Sequence, residues 1–120
     1  MEQSLFERNG GFAKVSRVVM SFYDRVLDSP IMSPYFGNTD MKLLVDHQTK
    51  FIAFLMGGPA SFSDEHLERI HRDLDIDREA FDEMVGLLTE TLEDFEFTDE
   101  DVAQVRKELE RRAPLVITNT

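Results

Sequence analysis

The sequence predicts an all-α fold, and three observations carry that prediction. Apolar residues recur at spacings of three and four along most of the chain. The segments so marked are bounded by capping residues, glycine or proline. No alternating apolar and polar run of the kind a half-buried strand needs competes with them. Two connections are long and irregular, so helices crossing around something fit better than an up-down bundle with short loops.

The elements follow in order. Val15, Val18, Val19, Phe22 and Val26 mark a first helix between the break at Asn9-Gly10-Gly11 and the stop at Ser29-Pro30. The stretch SPIMSPYFGNTD reads as an irregular connection that still carries the apolar pair Tyr35 and Phe36. A second helix is expected from about Met41 to Met56, ended by Gly57-Gly58-Pro59. Ser63 is a candidate cap for a short helix around His71. Asp77 then opens a longer helix whose buried face is Phe81, Met84, Val85, Leu88 and Leu92. Thr98 with Asp101 three residues on resembles a capping box with Asp in place of Glu, and starts a last helix through Val102, Val105 and Leu109 that Pro114 ends.

A chain of 120 residues corresponds to a single domain, taken as 1–120, with 42% apolar and 31% charged residues as in soluble globular proteins. No apolar run approaches the roughly 18 residues a membrane span needs. No basic segment followed by an apolar one opens the chain, so a cytoplasmic location is expected. Cysteine is absent, which removes disulfides, thiolate nucleophiles and cysteine-ligated metals, and leaves His47, His66 and His71 to carry any soft metal chemistry. A net charge of −11 argues against nucleic acid or anionic lipid as a partner.

His71 falls in a helical apolar stripe with Leu67, Ile70 and Leu74. An unpaired buried polar group costs roughly 1 to 3 kcal/mol, so something must meet its ring nitrogens. Taken alone, His71 reads either as a core histidine bonded to a carbonyl or as a metal ligand. On the second helix Leu44, His47, Gln48, Phe51 and Leu55 share one face, and its polar pair either meets water at the edge or faces a polar object within the core. With Tyr23 on the apolar face of the first helix, these residues make the layout a haem iron requires, an imidazole on one side and hydrogen-bond donors on the other. Zinc catalysis would need three compactly spaced ligands, which are absent. His66 lies five residues from His71, off its face, and reads as a surface residue. Gly57-Gly58 ends a helix, so it is no phosphate loop.

The segments LFERNGGF, FYDRVLDSP, PYFGNTDM, DHQTKFIAFLMGGP and LERIHRDLDIDREAFDEMVGLL, in that order, resemble the truncated haemoglobins, most closely their first group, over nearly the whole chain. The resemblance implies a two-over-two helical sandwich enclosing non-covalent haem b, with His71 as the proximal iron ligand. It assigns Phe36 to the haem plane, Tyr23 and Gln48 to the distal pair that hydrogen-bonds dioxygen, and Phe51 and Phe81 to haem-facing positions. Leu67, Ile70 and Val85 are its candidates for the proximal wall. Leu44 holds a distal position where some relatives carry glutamine, which makes the entrance more apolar. His47 stands where certain relatives use a reversible sixth ligand; the alternative is a solvent or propionate contact. Some relatives attach haem covalently through a histidine in the last helix, but none follows His71 here. Lys42, Lys50 and Arg69 are candidates for the haem propionates.

The implied function is reversible binding of dioxygen, nitric oxide and carbon monoxide, with conversion of nitric oxide to nitrate as a candidate activity. Such turnover needs electrons, and the chain has no flavin or nicotinamide motif, so a separate reductase is implied. The alternatives are a haem-based gas or redox sensor domain of a larger signalling protein, a six-coordinate electron-transfer protein using both His47 and His71, and a haem-free helical interaction domain.

Overall fold

The computed structural model describes residues 4–59, 63–72 and 74–118, and every regular element among them is helical. These elements are α1 (Leu5–Arg8), α2 (Gly11–Asp28), a 3-10 turn (Ser33–Phe36), α3 (Met41–Leu55), α4 (Asp64–His71), α5 (Arg78–Asp94), α6 (Asp99–Arg111) and α7 (Ala113–Val116). None is long and apolar enough to cross a membrane.

Local chemistry explains where most of them begin. The first N–H groups of a helix lack an internal partner, and a side-chain oxygen just ahead of the helix supplies one. Ser4, Asp40, Ser63, Asp77 and Thr98 each accept from the N–H three residues on, at 2.8 to 3.2 Å. Helix α2 has no side-chain cap; Gly10 and Gly11 precede and open it with φ of +95° and +65°, a left-handed backbone that suits glycine. Gly58 answers a different need, because a Cβ there would lie 2.8 Å from the Phe6 ring and 2.9 Å from the Ala53 carbonyl oxygen. Helix α1 is thereby seated on the end of α3, and the Phe6 N–H donates to the Met56 carbonyl at 3.0 Å.

The capping box expected at Thr98 is only half formed. The Asp101 N–H donates to the Thr98 hydroxyl, but the Asp101 carboxylate accepts from Arg8 at 3.1 Å and Asn9 at 3.2 Å. Asp101 is buried, so this contact ties α1 to the start of α6. Pro114 does not simply end the last helix. Helix α6 stops at Arg111, and Pro114 sits at the start of the one-turn helix α7, where its missing N–H costs nothing.

Helix α2 packs along α3 and across α5, α5 pairs with α6, and α3 meets α6, giving a two-over-two sandwich. Val15, Val18, Val19 and Val26 of α2 meet Leu88, Leu92 and Val105 in a core where all are essentially inaccessible to water. Removing buried methylenes from such a core forfeits transfer energy and leaves a cavity. Leu92→Ala is expected to lower unfolding free energy by about 2 to 5 kcal/mol, read as a urea midpoint shift at unchanged m-value.

Candidate functional site

Between these layers lies a cavity of about 330 Å³, walled by side chains from α2, the 3-10 turn, α3, α4, α5, α6 and α7. Val19, Phe22, Met32, Phe36, Phe51, Ile52, Leu67 and Phe81 make its lining largely apolar. Within that wall stand the polar groups of Tyr23, Gln48 and His71. A concave apolar site with a few convergent polar groups is the usual form of a cofactor pocket.

His71 ends the short helix α4, whose start the Ser63 cap sets. Its Nδ1 lies 2.8 Å from the Leu67 carbonyl oxygen, one turn back. A carbonyl only accepts, so Nδ1 carries the proton and donates, leaving Nε2 as the nitrogen with a lone pair. Burial holds the imidazole pKa below its ordinary 6.5, against the opposing pull of the Leu67 hydrogen bond and with a small contribution from His66. The ring is therefore neutral at pH 7, the form that binds a metal.

The sign for stability follows directly. Between the folded pKa and 6.5 the unfolded chain binds more protons than the folded one, so stability of the cofactor-free protein falls as pH drops through that window and levels off below it. The urea midpoint is expected to fall further between pH 7 and about pH 5.5 in the wild type than in His71→Gln, which lacks the titrating ring.

Tyr23 comes from α2 and is buried, its ring edge-on to Phe22 at 4.9 Å and to Phe36 at 5.8 Å. Burial pushes its phenol pKa well above the usual value, so the hydroxyl stays protonated and can donate. Gln48 is half-buried on α3. Among the described residues, neither the Tyr23 hydroxyl nor the Gln48 amide has a protein hydrogen-bond partner, although both line the cavity. Two such donors in one cavity with a neutral imidazole suit a bound molecule better than a sealed core.

Comparison with known proteins identifies the family and the fold. The profile of the family described as Bacterial-like globin matches residues 4–117. The chain belongs to that globin family. It is similar to the Group 1 truncated hemoglobin of Tetrahymena thermophila, 28% identical over 91% of this chain and 90% of the relative. It is also similar to Group 1 truncated hemoglobin GlbN of Mycolicibacterium paratuberculosis, 29% identical over 96% and 85% of the two chains. Among solved structures, the truncated hemoglobin from Tetrahymena pyriformis in its Fe(III) form superposes with a TM-score of 0.88 at 27% identity, covering 96% of this chain and 98% of that one. The 2/2 hemoglobin from Synechococcus in the cyanomet state, with covalently attached heme, gives 0.89 at 27% identity over the same shares.

Membership implies haem, and the residues of this globin fit it: a neutral imidazole with Nε2 unprotonated, flat aromatic walls at Phe36, Phe51 and Phe81, and protonated donors at Tyr23 and Gln48. Leu44 and Leu67 also line the cavity. The side chain of Ile70 lies outside what the structure describes.

Five candidates are not brought to the cavity. His47 is exposed and absent from the lining, so the structure does not support it as a sixth ligand. The reason is angular: Leu44, Gln48, Phe51 and Ile52 define the inner face of α3, and residue 47 falls roughly 80° from its centre at about 100° per residue. Val85 is buried but does not line the cavity; it sits about 100° round α5 from Met84, which does. Of the propionate candidates, Lys42, Lys50 and Arg69 are all exposed and outside the lining, and Lys50 pairs with Asp46 at 3.3 Å.

The basic residue that does line the cavity of this globin is Arg112. It donates to the Glu108 carbonyl at 2.9 Å and carboxylate at 3.2 Å, lies over the Phe54 ring at 5.4 Å, and keeps a buried Nε without a partner among the described residues. Sequence reasoning passed over Arg112 because an Arg near a helix C-terminus is expected to face water. It also passed over Met32 and Ile76, which reach the cavity from connections, and Leu109 and Val116, which reach it from α6 and α7.

Proposed function

We propose that the chain is a haem b protein that reversibly binds dioxygen and related diatomic ligands and, with electrons from a separate reductase, converts nitric oxide to nitrate. The observation that carries this reading is the placement of Tyr23 and Gln48, both without hydrogen-bond partners among the described residues, in one apolar cavity with His71. Bound haem supplies an iron centre able to coordinate a diatomic molecule.

The chain's own residues do the rest. The Leu67 carbonyl fixes the His71 tautomer and turns Nε2 into the better base. With haem bound, Tyr23 and Gln48 would offer hydrogen-bond donors to a coordinated ligand that carries negative charge, and in a dry site such donors count for more than in water. Phe36, Phe51 and Phe81 line the same cavity and would help keep water from a bound haem. One nitric oxide, one dioxygen and one electron balance one nitrate, so a reductase must return an electron each turn. No histidine follows His71, and Leu109, Arg112 and Val116 are what the last helices present to the cavity; the haem is accordingly held without a covalent bond.

Stopped-flow mixing of the oxygenated protein with nitric oxide tests the reading. Rapid oxidation of the haem with one nitrate formed per haem is expected. Oxidation without nitrate would leave ligand binding in place and remove the dioxygenase activity.

A further inference from the structure

We propose that the C-terminal turn positions the proximal imidazole, with Thr118 as the positioning residue. This rests on His71 being the haem ligand. Helix α4 has only two turns, and among the described residues it packs chiefly against α7. Leu115, Val116 and Ile117 are half-buried against the core, and Val116 also lines the cavity.

Thr118 closes this contact on both sides of the connection that follows His71. Its N–H donates to the Ile76 carbonyl at 2.9 Å, and its hydroxyl donates to the carbonyl of His71 itself at a longer 3.5 Å. These bonds bridge some forty residues of sequence and hold the last turn of α4 to the end of the chain's helical region. An imidazole on so short a helix takes its tilt from whatever fixes that helix, because two turns carry little stability of their own. The C-terminal turn is what fixes it.

Two substitutions separate the bonds. Thr118→Val removes the hydroxyl at nearly constant shape. Thr118→Pro removes the N–H as well, and the preceding Ile117, at φ −77° and ψ +113°, already has the extended backbone that a following proline demands. In the haem-loaded protein, Thr118→Pro is expected to move the iron–imidazole stretching band in the resonance Raman spectrum and to speed haem transfer to a scavenger apoprotein about fivefold, the factor one neutral hydrogen bond carries. Thr118→Val should move the band less, in the same direction. In His71→Gly loaded with haem and free imidazole, Thr118→Pro should leave the band still, since the ring is no longer tied to α4.

A haem-loaded Thr118→Pro protein with an unmoved band overturns the proposal. Should that variant not fold, the wild type still decides: the Thr118 amide should exchange with solvent more slowly when haem is bound, and equal exchange with and without haem overturns the proposal as well. Retention of the wild-type spectrum by His71→Gly without added imidazole would instead strike the haem-ligand reading on which this one stands.

Discussion

Replacing His71 by glycine will weaken haem retention at least about a hundredfold, or about 3 kcal/mol, with loss of the wild-type visible bands. Among the described residues of the cavity, the imidazole is the one side chain that offers a neutral nitrogen with a free lone pair. Tyr23 and Gln48 present protonated donors, which cannot replace it. Because glycine leaves room, free imidazole should restore the bands. A glycine variant that takes up haem and keeps its spectrum without added imidazole would show that iron is ligated elsewhere.

The second large effect falls on ligand release. Tyr23→Phe combined with Gln48→Leu should accelerate dioxygen dissociation on the order of tenfold or more, since each neutral hydrogen bond contributes about 1 kcal/mol and more in a dry pocket. Phenylalanine keeps the ring contacts with Phe22 and Phe36, so the thermal midpoint should change little while the rate changes. Carbon monoxide, which draws less charge onto its outer atom, should respond more weakly. Flash photolysis and ligand replacement measure both rates, and equal acceleration for the two gases would point to altered access rather than lost hydrogen bonds.

Much of the fold was legible because its signals are local. Asp77 opens α5 and Thr98 opens α6 as their sequence context requires, since a cap acts on the N–H three residues away. Helix α1 and the turn α7 were not legible, and the reason is length. Four residues cannot sustain a helix, and these two persist because Phe6 is pinned beneath Gly58 and because α7 lies against α4. The half-formed capping box has the same cause: Asp101 could serve Thr98 or Arg8 and Asn9, and only the approach of α1 favours the latter.

The candidate site divides along the same line. Periodicity put His47 and Gln48 on neighbouring rows of one helix, and the packing of α3 placed Gln48 in the wall and His47 outside it. Met84 and Val85 were both expected on the buried face of α5, and packing placed Met84 in the cavity wall and Val85, the wall candidate, outside it. Arg112 reached the cavity from just past the end of α6, with the guanidinium over Phe54 of α3.

By itself the sequence determined the helices of more than two turns, the chemistry that histidine alone could supply in a chain without cysteine, and the stripe that holds His71. Only the tertiary structure decided which polar side chains share a cavity, that His47 is left at the surface, and that Thr118 is bonded to the carbonyls of His71 and Ile76. Spacing along a helix specifies the face a residue occupies; what that face meets depends on how distant helices cross, and that is set by the sum of many weak packing contacts.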